Sequence, residues 1–393
     1  MSKVSKDKIS KSLEESSRKE VVSLLKTVFA KFDSNEDEVL SSAEIDAAVS
    51  NGELSHIEAQ IVTLFKYKYQ AIKDLVKEGW FQKRNGITLM DMLVLEEVLE
   101  ADFDRQLNTQ ELELHAVARD IMKRVAKIAR LKRRLYQNEA DPLASIRPIA
   151  VRQGRAGDCV FLASLAALAA QNPSIIEKSI VKNEDGTFTV TFAGAYDRPI
   201  LIDAPNLVEL ALYAQFTRLG IWPCVIEKAY GVFLQNHGHE ESVIPQENTS
   251  NQHAIVGALD LLTGEKGEWF LISKLEDERL EDILTSAFAE KRAIVAGSGG
   301  VVDSTTFDAD ILTRHAFSVI KWNRKLKTLV LRDPWGPKTR IGVDIDPIKD
   351  GVFAMDLISF RKNFLAIYIE QWAADPRYVD KPKATRKAIV RPK

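Results

Sequence analysis

Cysteine is scarce in this chain. Two stand among 393 residues, Cys159 and Cys224. Two cysteines build no disulfide framework, so a fold stapled by disulfides is excluded. The expectation is a reducing, cytoplasmic setting with both thiols free. Net charge is nearly absent as well: 54 Lys and Arg against 56 Asp and Glu leave −2, and the pI lies near 6.4. No global attraction to nucleic acid or anionic membrane follows, and nucleic acid is not expected as a partner. Long apolar runs are missing too. The longest, at 160–170, is far too short for a bilayer, and the opening "MSKVSKDKISKSLEES" has no apolar signal core. No membrane span is expected.

Glycine and proline are sparse between about 8 and 137, where the pattern is helical throughout. "EVVSLLKTVFAKF" repeats Val21, Leu24, Leu25, Val28 and Phe32 at helical spacing. Long helices are expected over 53–80 and 88–137. Within the second, "KRVAKIARLKRR" at 123–134 carries basic residues and no acid. A solvated helix face is the plain reading of it; a docking segment or an intramolecular cleavage site near 123–142 is the sharper one. "NEADPLASIRPIAVRQG" then brings two prolines and a domain boundary at about 139. Helical signals continue over 158–180 and 222–236. From about 265 short strands dominate: "EWFLIS", "AIVAG", "HAFSVIKW", "KTLVLRD", "FLAIYIEQW".

This divides the chain into four parts: a helical domain at 1–138, a helical lobe at 139–264, a stranded lobe at 265–373 and a basic disordered tail at 374–393. The fold class expected is α+β, a two-lobed core preceded by an all-α domain.

The loop "DSNEDEVLSSAE" at 33–44 sets Asp33, Asn35, Asp37, Ser41 and Glu44 at relative positions 1, 3, 5, 9 and 12. Those are the side-chain oxygen positions of an EF-hand, with the Val39 carbonyl at position 7. The expected cofactor is therefore Ca²⁺, held by these six residues. Position 6 is Glu38 where glycine is usual, and a non-glycine residue forced to positive φ costs about 1–2 kcal/mol. A second loop should pair with the first. "FQKRNGITLMDM" has Gly86 and Ile87 suitably placed, but Lys83 and Arg84 stand where carboxylates would be needed.

Cys159 follows Gly157-Asp158 and opens an apolar helical stripe of Phe161, Leu162, Leu165 and Leu168. A helix N-terminus favours thiolate. Catalysis needs a base and oxyanion donors besides. Gln153, on the preceding glycine-containing loop, can supply an amide donor. "TRHAFSVIKWNRKLKTLVLRDPWG" reads as two strands joined by a turn at Asn323–Lys327. That places His315 and Asp333 at the same end of a hairpin, where a carboxylate can orient the imidazole toward a thiol. Trp335 can shield their bond from water.

These residues resemble the calpain branch of papain-like cysteine proteases. The likeness is carried by "QGRAGDCVFLASLAALA", "WPCVIEKAYGVF", "ALDLLTG", "AGSGG" with "RHAFSVI", "LRDPWG" and "FAMDLISFRKNFLAIYI", over roughly 143–370 in the family's order. It implies a two-lobed papain-like fold, Cys159 as nucleophile, His315 as general base, Gln153 as oxyanion glutamine and Trp335 beside the triad. It implies an intracellular endopeptidase acting on proteins or peptides. Two departures stand out. The family's third catalytic residue is asparagine, and Asp333 stands here. Its core calcium site uses an acid nine residues before the nucleophile, and here that position is Ala150. The loop at 33–44 lies N-terminal rather than C-terminal, an arrangement that looks bacterial. The competing reading is a calcium-binding interaction protein whose core has lost turnover.

Other signals weigh less. His237, His239 and His253 match no strong zinc spacing. Gly297–Gly300 lacks the Lys-Ser/Thr of a phosphate loop, and Cys224 reads as a packed, inert thiol.

Overall fold

In the computed structural model, residues 3–76, 85–101, 107–215, 217–236, 252–299, 313–336, 343–344 and 350–370 are described. The N-terminal helical pattern breaks into α1 (Lys3–Phe32), strand β1 (Val39–Ser41), α2 (Ser42–Val49), α3 (His56–Tyr67), α4 (Tyr69–Lys73), strand β2 (Gly86–Thr88), α5 (Leu89–Glu100) and α6 (Thr109–Ala129). The two continuous helices expected over 53–80 and 88–137 are thus corrected. Four of these helices have their own start signal: Ser41, Ser55, Thr88 and Asn108 open α2, α3, α5 and α6, each forming a capping box with the acid three residues on. The second helix ends at Ala129, not 137. Beyond it, Arg130–Arg134 are exposed, whereas Leu135 and Tyr136 are buried. Ile221 and Trp222 donate their backbone N–H groups to the carbonyls of Arg134 and Leu135, so this stretch lies along another segment instead of coiling.

The next region holds α7 (Cys159–Gln171), α8 (Pro173–Ser179), a small antiparallel sheet of β3 (Ile180–Lys182), β4 (Phe188–Val190) and β5 (Ile200–Ile202), then α9 (Leu207–Leu212), α10 (Trp222–Gln235) and α11 (Gln252–Thr263). Helix α7 is apolar nearly all round, and every residue from Cys159 to Ala169 is buried. Such a helix must run through a core rather than along a surface. Among the described residues no single helix is long and apolar enough to cross a membrane.

The last region contains β6 (Gly267–Leu271), α12 (Asp277–Ala289), β7 (Ile294–Ser298), β8 (Ala316–Asn323), β9 (Thr328–Arg332), β10 (Val343–Asp344), β11 (Val352–Asp356), α13 (Leu357–Asn363) and β12 (Phe364–Glu370). Its strands form one antiparallel sheet in the order β10-β11-β9-β8-β7-β12-β6. Two cores result. One joins the N-terminal helices to α7, α10 and α11 in a continuous apolar cluster. The other lies between the sheet and helices α12 and α13, around Phe317, Leu331 and Phe360. Helix α7 crosses the sheet at β8, where the Ser318 hydroxyl donates to the Ala163 carbonyl at 2.7 Å. That bond ties the helix bearing the thiol to the strand that follows His315.

The tail at 374–393, His237, His239 and Gly300 lie outside the described residues, as do Lys83 and Arg84 of the second loop.

Candidate active site

Cys159 is the first residue of α7 and is buried. Across from it, β8 and β9 form a hairpin whose register pairs Asn323 with Thr328, so the turn falls at 324–327. His315 directly precedes β8 and Asp333 directly follows β9. Both therefore sit at the open end of the hairpin. The His315 Nε2 and the Asp333 Oδ1 are 2.9 Å apart, and both side chains are buried. The Cys159 side chain lies close enough to the same ring to favour its charged form. Since Nε2 is taken by Asp333, Nδ1 is the ring nitrogen left for the sulfur. Burial works against a charged imidazole here, but the bond to Asp333 and the neighbouring Cys159 outweigh it and lift the His315 pKa to about 9. The ring is thus held as a cation beside the sulfur, which is the electrostatic condition for a thiolate nucleophile.

The Asp333 carboxylate is fixed in turn. Its Oδ1 also accepts the Trp335 backbone N–H at 2.8 Å, and its own N–H donates to the Gly351 carbonyl at 2.9 Å. The Trp335 ring packs against the His315 edge, centroids 5.3 Å apart at 62°. It remains 39% exposed, so it covers one side of the imidazole while meeting solvent itself. Phe317 closes another side at 5.0 Å.

Gln153 is buried on the loop before α7. Its side-chain Nε2 donates one hydrogen to the Ala156 carbonyl at 2.6 Å, which orients the amide and leaves its second N–H to donate elsewhere. The loop is clamped on both sides. The Gln153 N–H donates to the Pro334 carbonyl at 2.8 Å, next to Asp333. Gln215 Nε2 donates to the Gln153 carbonyl at 2.9 Å, and the Arg155 N–H to the Leu212 carbonyl at 2.7 Å. Gly154 is required between them, since a Cβ there would fall 1.8 Å from the Tyr213 carbonyl oxygen. Gly336 sits at φ +89° beside the Arg152 guanidinium and lets the Pro-Trp-Gly turn close on this loop.

The loop 33–44 joins α1 to α2. Asp33 accepts from the N–H groups of Asp37 and Glu38, Asn35 from Asp37, and Asp37 from Val39. Glu38 lies at φ +61° and Glu36 at φ +57°, so position 6 adopts the left-handed geometry that glycine would relieve. Strand β1 pairs with β2 and places Leu40 opposite Ile87. Asp91 then mirrors Glu44: each accepts the N–H and hydroxyl of the residue three before it, Thr88 or Ser41. Glu44 is engaged twice, by Ser41 and by the Ser34 N–H and hydroxyl. Burial acts to raise its pKa, but these Ser41 and Ser34 donors prevail and hold it down to about 2. The oxygen donors suit a hard cation. Among the described residues, however, no group of three or more His, Cys, Asp or Glu is gathered to hold a metal ion.

Sequence reasoning passed over one pair of groups. Asp158, immediately before the thiol, and Glu227 on α10 are both completely buried and close enough for each carboxyl to act on the other's charge. The signal available was an acid at each centre of two otherwise apolar blocks, "GDCVFL" and "WPCVIEKAY".

A thiol on a buried helix facing an imidazole–carboxylate pair on a sheet is the arrangement of a cysteine peptidase. The calpain family cysteine protease model matches residues 122–370, and the chain belongs to that family. It is 27% identical over 259 residues to the calpain-type cysteine protease DEK1 of Arabidopsis thaliana, covering 56% of this chain and 11% of that protein. It is 28% identical over 260 residues to the calpain-type cysteine protease ADL1 of Oryza sativa subsp. japonica, covering 57% and 11%. Against calpain-13 of Rattus norvegicus it is 35% identical over 98 residues, 22% of this chain and 14% of the relative. The match thus spans about a tenth of the length of the plant relatives.

Proposed function

We propose that this chain is a cysteine endopeptidase that cleaves protein substrates through Cys159, His315 and Asp333, with Gln153 in the oxyanion hole. One observation supports the reading above the others: a buried imidazole whose Nε2 is 2.9 Å from a buried carboxylate has its charged form favoured by the neighbouring Cys159 side chain. Asp333 accepts the Nε2–H and fixes the ring, and Nδ1 holds the proton given up by the thiol, so that the imidazolium stands beside a thiolate. The thiolate attacks the scissile carbonyl carbon. The oxyanion is met by the free Gln153 N–H and the Cys159 backbone N–H at the start of α7. Collapse breaks the C–N bond, and the imidazolium gives its proton to the leaving amine. Water then attacks the thioester with His315 as base, releasing the acid and restoring the thiol. Aspartate in place of asparagine supplies the same acceptor with a full charge, so turnover survives the departure.

Calcium belongs to the proposal through the loop 33–44. Asp33, Asn35, Asp37, Ser41, Glu44 and the Val39 carbonyl would hold it, and when bound it would supply charge neutralisation to the clustered carboxylates. Glu44 must first release the Ser34 donors, so binding should be weak. Self-cleavage belongs to the proposal only at 130–134, where the chain is exposed between α6 and the buried Leu135. A cytoplasmic location is the setting in which two free thiols persist.

The test is casein hydrolysis and labelling by a thiol-directed epoxide, with and without calcium, in wild type and Cys159→Ala. Hydrolysis and labelling lost together in the variant are expected. Absence of epoxide labelling at Cys159 in either condition would sink the peptidase reading and leave the calcium-binding interaction protein. Mass spectrometry of fresh protein shows fragments in wild type that Cys159→Ala lacks only if the chain cleaves itself.

A further inference from the structure

Asp158 is the N-cap residue of α7, yet its side chain makes no cap hydrogen bond. An aspartate there ordinarily folds back onto the second or third N–H of its helix. Instead it turns toward Glu227, which is also completely buried. Among the described residues, and its own backbone N–H aside, no N–H or hydroxyl donates a hydrogen bond to either oxygen of Asp158 or to the Glu227 Oε1. The remaining Glu227 oxygen accepts the Ala214 backbone N–H. Two carboxyl groups in contact, with no outside donor on three of their four oxygens, are satisfied only if one acid supplies the hydrogen itself. Two adjacent buried carboxylates cannot both ionise.

We propose that Glu227 is a positioning residue for the nucleophile: its carboxylic acid donates a hydrogen bond to the Asp158 carboxylate and holds it off the first turn of α7. This deepens the peptidase reading, because the first turn of α7 is where that reading puts both the thiolate and an oxyanion donor. A carboxylate capping those N–H groups would cancel the positive end of the helix that favours thiolate. Glu227 also holds the loop that supports Gln153, since Ala214 lies between Tyr213, against which Gly154 packs, and Gln215, which binds Gln153 and Arg152.

The surroundings accommodate one negative charge. Arg124 of α6 faces the pair and donates to the carbonyls of Leu210 and Tyr213. Tyr213, Cys224 and Tyr230 also face it, all of them neutral because burial raises each. Glu209 is matched by Lys228 at 2.8 Å. Of the cations on these elements, Arg124 is the one that acts on Glu227, while Lys228 is engaged by Glu209. Burial accordingly holds both carboxyls up, Glu227 the more strongly because Asp158 adds its charge.

The test uses the full chain and needs no peptidase turnover. In a Cys159→Ala background the thiol no longer titrates and His315 contributes alike to both proteins compared, and urea unfolding is measured at pH 5.5, 6.5 and 7.5 with Glu227 and with Glu227→Gln. The folded state retains a proton on Glu227 that the unfolded chain loses above its ordinary carboxyl pKa, so stability falls as pH rises. The folded-to-unfolded ratio should fall about tenfold more per pH unit with Glu227 than with Gln. Parallel pH curves would overturn the shared proton. With Cys159 present, iodoacetamide alkylation at pH 7 reads the thiolate directly. Glu227→Gln keeps a donor toward Asp158 and should alkylate at the wild-type rate, while Glu227→Leu should slow at least about tenfold. Equal slowing in both variants would overturn the positioning role. An unfolded Leu variant leaves the Gln comparison standing. Loss of casein hydrolysis with these results intact would count against the peptidase reading alone.

Discussion

The two cysteines of this chain are nearly matched by position and opposite in circumstance. Cys159 is the first residue of α7 and Cys224 the third of α10; both are buried, and both sit where a helix dipole favours a thiolate. Around Cys224, burial and the nearby acids Glu227 and Glu209 push the thiol pKa well above its ordinary value. Cys159 faces His315 instead. Apolar neighbours cover both helices, so the difference lies in one imidazole delivered from another lobe. A helix N-terminus supplies a fraction of a charge; a buried imidazolium held by a carboxylate supplies a whole one.

The comparison breaks first at its strongest point. Cys159→Ala or His315→Ala should reduce casein hydrolysis by about 10⁴-fold or more, while circular dichroism stays that of the wild type. Gln153→Ala comes next, at about 10²-fold in kcat with KM little changed, because an oxyanion donor acts in the transition state. Equal changes in KM would show Gln153 binding substrate rather than stabilising charge.

A third experiment sharpens the imidazole. The His315 pKa stands near 9, above its ordinary 6.5, once the Asp333 bond and the neighbouring Cys159 overcome burial. Its contribution to folding is therefore complete below about 6.5. It fades as pH climbs through about 9. Hydrolysis should lose its alkaline limb near the same value. Asp333→Asn removes the charge but keeps an acceptor, so activity should persist while that limb moves to lower pH. Activity lost at every pH would mean that the charge of Asp333 is needed for turnover itself.

The strands of the catalytic hairpin were legible because β8 and β9 are short runs rich in β-branched and aromatic or aliphatic residues on either side of a polar turn. Helix α7 was legible from its stripe. The N-terminal helices were read too long, since capping boxes at Ser55, Thr88 and Asn108 were outvoted by continuous hydrophobic periodicity. The stop at Ala129 is a tertiary effect: Leu135 and Tyr136 gain more by packing beside Trp222 than by extending a basic helix. Pairing of Leu40 with Ile87 followed from apolar residues at like places in two loops. The Asp158–Glu227 contact was invisible because nearly seventy residues separate two acids that local spacing cannot join.

The smallest effect tests the other cysteine. Cys224 lies against Glu227 on α10, so its thiol is protonated and shielded where Cys159 is activated. Cys224→Ala removes one sulfur from a packed helix and should cost about 1 kcal/mol or somewhat more in urea unfolding, with kcat/KM unchanged. Native iodoacetamide treatment should modify Cys159 alone, and Cys224 only after denaturation. Modification of Cys224 in the folded protein at neutral pH would mean that α10 opens, and with it the floor beneath the loop that carries Gln153.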